Sequence, residues 1–323
     1  MTPPLLPSLE ADAWRLVAGV ASVLVVASSI GALLARTLAR APADSQARPL
    51  IDNLNQRIKA WWIIAGSVGL ALLGGSGGVA LLFALASLQA LREFLPVAAD
   101  RPTRLRQWGV VAAFVPLQYF LAWRGEAAFT LLIPLAVALG TPLLGVLSGD
   151  APRFLRRHGN LAGGLLICVF AISHLPALLT LRLPGYDKSA AYLLVFLLIV
   201  VQASDVLQYL WGKLAGRHPI APRVSPAKTV EGTIGGLLSA SALGAGLSAI
   251  TPFSPAQALA IALLLTALGF AGGLALSAVK RHRGIKDWGR LLPGHGGVLD
   301  RPDSLYLSAP AFYYLLRHAW GSG

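Results

Sequence analysis

The sequence predicts an all-α polytopic integral membrane protein of about ten transmembrane helices, with both termini on the non-cytoplasmic side. Three observations predict it. Apolar runs of about 16 to 22 residues recur along the chain, close to the roughly 20 residues a helix needs to cross a bilayer core. The 323 residues are 55% apolar and only 13% charged, with a mean hydropathy of +0.66. Lys and Arg concentrate in alternate loops. Backbone polar groups in hydrocarbon need internal partners, so the runs are helices; the period-two alternation of a β-barrel is absent from the sequence.

The spans are read at residues 16–35, 60–75, 78–91, 108–123, 127–147, 161–181, 189–212, 232–251, 256–279 and 304–319. The start, MTPPLLPSLEADAW, lacks a positively charged n-region, and the first run is too long for a cleaved signal, so it is read as a retained helix. The second and third spans are short and meet at Gly74, Gly75, Gly77 and Gly78, which leaves nine spans or a re-entrant pair as alternatives. Loops 36–59, 92–107, 148–160, 213–231 and 280–302 hold 5, 4, 3, 4 and 6 of the Lys/Arg residues, so 22 of 27 lie on one side. That asymmetry is the positive-inside pattern and puts these loops in the cytoplasm. The +13 net charge therefore suits anionic lipid headgroups rather than nucleic acid. Cys168, alone and mid-span, reads as a core residue, and His174 as a buried hydrogen-bonded one. Trp61/Trp62 and Tyr313/Tyr314 read as aromatic belts, and Gly232 with Gly236 as a close helix-packing pair.

Chemistry concentrates near the C-terminus. The stretch Ser277–Asp303 carries six Lys/Arg and three Asp, and loop 213–231 lies two spans before it, hence on the same face. In that earlier loop Ser225-Pro226 reads as a helix start, with Ser at the N-cap and Pro at N1. Such a start suits phosphate, with Lys228 adding a charge and Glu231 orienting Lys228 or a metal-bound water. Asp205 sits about two turns inside the seventh span, where an unpaired carboxylate costs about 2.5–3.5 kcal/mol and so needs a partner, cavity or metal. Tyr209 shares its face, and Gln202 and Gln208 read as interhelical contacts. Lys280 and Arg281 close the ninth helix, where anchoring alone would account for them. Asp287, Asp300 and Asp303 supply oxygen ligands suited to Mg2+, and Gly294, Gly296 and Gly297 around His295 let backbone approach a ligand. Walker A, HExxH, CxxC and GxSxG patterns are absent from the sequence, which removes those enzyme classes.

The run Ser277, Lys280, Arg281, Lys286, Asp287, Gly289, Leu292, Pro293, His295, Gly296, Gly297, Asp300, Arg301, Asp303 resembles the signature of the phosphatidate cytidylyltransferase family, the CDP-diacylglycerol synthases. Pro302 departs from it, standing where the family has an aliphatic residue or Thr. A second block, Ser225, Pro226, Lys228, Thr229, Glu231, Gly232, is similar to the family's SPKKTWEG. Asp205 and Tyr209 fit an upstream pattern in which Gln208 replaces a small residue. The resemblance covers residues 189–320, which divides the chain into N-terminal scaffold helices at 1–188 and a catalytic region at 189–323.

The resemblance implies cytidylyl transfer from CTP to phosphatidate, giving CDP-diacylglycerol and pyrophosphate, with Mg2+ as cofactor and a second cation left open. It implies Lys228, Lys286, Asp287 and Asp300 as catalytic residues. Ser225, Thr229, Lys280, Arg281, His295, Gly296, Gly297 and Arg301 would bind substrate phosphates, and Asp205, Glu231, Asp287, Asp300 and Asp303 would hold metal. Its partners are CTP, phosphatidate and membrane lipids, with a homodimer also implied, in a bacterial inner membrane with the site facing the cytoplasm. The alternatives are a CTP-dependent polyprenol or phytol kinase, a transporter, and a degenerate regulatory homologue. Polar groups concentrated on one face argue against the transporter, as does the lack in the sequence of a pair of interrupted helices in matching halves.

Overall fold

A computed structural model describes residues 11–39, 47–98, 101–147, 154–289, 291 and 296–321. The described residues form ten helical segments, one at each position where an apolar run predicted a span. They are α1 (Ala11–Ala39), α2 (Ala47–Leu73), α3 (Gly75–Ala98), α4 (Arg101–Arg124), the broken segment α5 (Phe129–Leu135) and α6 (Thr141–Leu147), the broken segment α7 (Phe154–Gly163) and α8 (Ile172–Ala177), α9 (Ala191–Ala215), α10 (Val230–Gly246), α11 (Pro255–His282) and α12 (Leu305–Ala319). Five stretches are long and apolar enough to cross a bilayer: Arg15–Leu33, Gly75–Leu95, His158–Thr180, Ala191–Ala215 and Pro255–His282. Ile58–Leu73 and Phe129–Leu143 are apolar but shorter.

Local chemistry sets the boundaries. The α2–α3 junction is a hairpin turning on Gly74, with Gly75 at φ +70°; a side chain at Gly78 would press into the Ala71 carbonyl. The Gly-rich junction is thus a tight helix–helix turn. The fifth and sixth α-helices are joined by a widened π turn, Ala136–Gly140, just after Pro134, whose missing N–H and bulky ring disturb the ordinary ladder. Ser254 caps α11 in a reciprocal capping box with Gln257.

Helices α3, α4, α5, α8, α9, α11 and α12 share one core, in which Leu91, Phe129, Ile133, Leu175, Phe196 and Phe312 are fully buried. Cys168 is buried there, and the His174 Nδ1–H donates to the Phe170 carbonyl at 2.8 Å. Tyr313 does not belong to a belt: it is 4% exposed and meets the rings of Phe129 and His174 edge-on at 5.3 Å. The reason is that α12 packs on α8, so its Tyr313 side faces the core while the helix end lies nearer the surface. By contrast α1 packs on α2 and leaves Val17, Val23 and Leu33 more than half exposed, a surface suited to lipid.

Candidate active site

Between α9 and α10 the chain makes an antiparallel hairpin of β1 (Pro219–Ala221) and β2 (Ser225–Thr229). This corrects the helix start expected at Ser225. Ser225 pairs with Ala221, Pro226 occupies an exposed ribbon position where a missing N–H is tolerated, and Thr229 is the actual N-cap of α10, accepting from Gly232 N at 3.1 Å. Cross-strand pairing won over the Ser-Pro helix signal, so Lys228 lies on a strand and not in a helical first turn. Glu231 turns back onto the hairpin. It accepts the N–H groups of Arg217 and His218 at 3.0 and 3.2 Å and meets the His218 ring. The Arg217 N–H, followed by the His218 side chain, holds its carboxyl down at about 2.

α10 packs tightly on α9 because Gly232 and Gly236 have no side chain to keep Gln208 and Gly212 away. Gln208 donates to Ser204 at 2.9 Å, one turn back on α9 itself, so its hydrogen bond is not the interhelical one expected, whereas Gln202 reaches across to the Arg301 carbonyl, in the segment that leads into α12, at 3.4 Å. Tyr209 turns outward, with the Lys213 ammonium 5.8 Å from its ring, and does not join Asp205.

Packing against α9 brings α11 and its following loop to the hairpin. Arg281 donates to the Val224 carbonyl at 3.1 Å and to the Ile285 carbonyl at 3.0 Å, so the two charged loops touch and this guanidinium is occupied with backbone. Lys280 is buried and donates to Asp300 at 2.8 Å, with Asp303 at 4.0 Å. The other Asp300 oxygen takes the N–H groups of Trp288 and Gly297, each at 2.8 Å. Gly296 adopts φ +82°, and a Cβ there would lie 2.6 Å from that oxygen. Lys286 and Asp287 are exposed, with Asp287 alongside Gly296. His295 lies outside the described residues.

The remaining charges converge under the hairpin. The Lys228 ammonium sits 4.6 Å above the Phe270 ring, a cation–π placement that keeps it at the helix surface. Asp205 has Lys228, Ser304 and Arg301 as its neighbours, and Asp303 has Asp205, Lys280 and Arg301. Burial, then the Asp205 charge, push the Asp303 carboxyl up to about 7. Gly269 and Gly272 make this possible: side chains there would meet the Ser304 and Asp303 carbonyls at 3.2 and 3.0 Å.

One site residue escapes the sequence reading altogether. Glu93, buried in α3, accepts Val298 N at 2.9 Å and Leu299 N at 2.8 Å, with Gln89 donating at 3.2 Å. Nearby, Arg283 donates to Asn160 at 2.6 Å and Phe94 packs on Trp288 with ring centroids 5.2 Å apart. The signal was present: a carboxylate in an apolar helix needs a partner. Placing Glu93 in a cytoplasmic loop, beyond a span ending at 91, hid it.

The site tests metal binding by its donors. Asp205 and Asp303 fit a hard cation, being two neighbouring, half-buried carboxylates, and such an ion usually keeps waters and substrate phosphates in its shell. Asp300 and Glu231 do not fit, since their oxygens already accept protein donors. Among the described residues no three His, Cys, Asp or Glu side chains form a ready-made metal cage.

The fold and site define a helical membrane protein that gathers carboxylates and cations at one end of its bundle. Within that class the chain belongs to the cytidylyltransferase family, whose model matches residues 55–319. The match reaches well back of residue 189, into the helices that carry Glu93 and Asn160. The chain is 43% identical over 208 residues to the uncharacterized protein YnbB of Escherichia coli K12, covering 63% of this chain and 69% of that one. It is 41% identical over 125 residues to a phosphatidate cytidylyltransferase of Staphylococcus saprophyticus, covering 38% of this chain and 48% of the enzyme. Against the Bacillus subtilis phosphatidate cytidylyltransferase the figures are 38% over 138 residues, 42% and 51%. The chain thus matches about half the length of these two enzymes.

Proposed function

We propose that this protein transfers the cytidylyl group of CTP to phosphatidate, forming CDP-diacylglycerol and releasing pyrophosphate. The observation that carries the reading is the convergence of Asp205 and Asp303 with Lys228, Lys280 and Arg301, in a chain of this family. A lipid phosphate oxygen attacks the α-phosphorus of CTP, and the bond from that phosphorus to the bridging oxygen of the β-phosphate breaks. Both reactants are anions, so cations must offset their repulsion and hold them in line. Lys228 and Arg301 are the phosphate-binding groups in this reading, with Lys286 and Asp287 exposed at the mouth. The phosphate nucleophile is already ionised near neutral pH, so no side chain need act as its base.

Asp205 and Asp303 would hold Mg2+, and Asp287 joins them only if substrate draws the loop inward. The bound ion would neutralise the leaving pyrophosphate. Lys280, Arg281 and Asp300 are reassigned from substrate or metal contact to holding the site together, as are Ser225, Thr229 and Glu231 within the hairpin. Gly296 and Gly297 act by admitting the protein's own carboxylates.

The proposal extends to ten membrane crossings, the charged loops on the cytoplasmic side of a bacterial inner membrane, and the segments before residue 16 and after 319 on the other. The positive-inside asymmetry supports that arrangement. Maleimide labelling of Arg223→Cys and Arg290→Cys from the cytoplasmic side alone is the expected result; labelling from opposite sides overturns it. The family resemblance adds a homodimer, read from the mass of the detergent-solubilised particle. The deciding experiment supplies purified protein with phosphatidate, Mg2+ and CTP labelled in the cytosine or at the γ-phosphate. Cytosine label in the lipid supports the proposal. γ-Phosphate label in an alcohol acceptor would make the protein a lipid kinase instead.

A further inference from the structure

We propose that Glu93, on α3 and remote in sequence from every other site residue, is a positioning residue that holds the 296–300 turn in its working shape against Trp288 and Gly289. Its two carboxylate oxygens each take a backbone N–H from consecutive residues, Val298 at 2.9 Å and Leu299 at 2.8 Å. Two glycines close over it. A Cβ at Gly289 would lie 2.9 Å from the carboxylate, and one at Gly297 would overlap it. On the far side of the same turn Asp300 takes the N–H groups of Trp288 and Gly297 at 2.8 Å. The loop is therefore gripped between a carboxylate from another helix and one of its own. Arg301 and Asp303 leave that grip directly, so their approach to Asp205 and Lys228 inherits its geometry.

Hydrogen bonds from backbone to a buried carboxylate are among the stronger ones, and an amide in its place sets N–H against N–H. Glu93→Gln keeps size and one acceptor while removing the other. The inference rests on cytidylyl transfer as the activity read out: an inactive wild-type protein would sink that reading, whereas the comparison of variants against an active wild type tests this one. With Glu93→Gln, kcat should fall about tenfold to a hundredfold with KM for CTP little changed. Deuterium exchange should rise in the peptide covering Val298 and Leu299 but not in α11. Ser87→Ala is the control, since Ser87 lies on the same helix as Glu93 but pairs with Tyr119 of α4 at 2.7 Å, and both readouts should stay at wild-type values.

Unchanged kcat and exchange in Glu93→Gln, or an equal loss in Ser87→Ala, overturns the proposal. If Glu93→Gln does not fold, Glu93→Asp combined with Gly289→Ala carries the test. The shorter side chain withdraws from the added methyl, so Gly289→Ala should cost at least about fivefold less activity in the Glu93→Asp background than alone. Independent, multiplying losses would refute the contact as a functional one.

Discussion

The hairpin at 217–229 and the segments at 283–289 and 296–303 are both charged and bear glycine or proline, yet they are held in opposite ways. The hairpin is fixed locally: its ladder, the Thr229 cap and the Glu231 carboxylate all come from residues within about fifteen positions of one another. The loop is fixed from afar, by Glu93 across some two hundred residues and by Asn160 through Arg283. The same device serves both, a carboxylate accepting paired backbone N–H groups. Its source differs, and so does what the sequence reveals of it. A local grip leaves a short motif, whereas a remote grip leaves only an isolated acidic residue in an apolar helix.

The largest break in this comparison should come from Asp300→Ala. It strips the acceptor from the buried Lys280 ammonium and two N–H groups at once, a loss of about 3–5 kcal/mol for a broken buried pair, and it should lower thermal stability and abolish turnover together. A melting temperature equal to wild type would show that the loop does not depend on this carboxylate. Asp287→Asn separates the two roles of acidic residues in the same loop. Being exposed, it should leave melting unchanged while CDP-diacylglycerol formation drops at least a hundredfold, and wild-type turnover would remove Asp287 from the chemistry.

Lys228→Ala should have a smaller effect, about tenfold on kcat/KM, because Arg301 and Lys280 remain beside the carboxylates. Unaltered kinetics would reduce Lys228 to a surface anchor resting on Phe270. The smallest change is expected at Glu231. Its folded-state carboxyl lies below the ordinary value of 4.5, at about 2, so its contribution is complete above about 4.5 and is lost as pH falls toward 2. Protection of the Arg217 and His218 amides should therefore persist at pH 5, and Glu231→Gln should remove it at neutral pH with little effect on overall melting.

The helical segments were legible because each is announced by an apolar run, and hydrocarbon leaves a single main-chain solution for it. Close packing of α9 and α10 was legible as well, through Gly232 and Gly236. Ser225 was misread because a Ser-Pro helix signal is a local preference, and the pairing of β2 with the three-residue β1, Ser225 opposite Ala221, displaced it. Tyr313 was misread because proximity to a helix end says nothing about which side faces the core. The glycines at 296 and 297 were read correctly as points of close approach. What approaches them, however, is the protein's own Asp300 and Glu93, and nothing in the glycines could distinguish that from a ligand.

The sequence by itself determined the membrane class, the positions of the helices and the chemistry of the charged loops, since hydropathy, charge placement and residue type act along the chain. Only the tertiary structure decided how those charges divide their work. Lys280, Arg281, Asp300 and Glu231 bind the protein to itself, while Asp205, Asp303, Lys228 and Arg301 converge. That division depends on which helices lie side by side, and a carboxylate's role follows from the donors that reach its oxygens rather than from its place in a motif.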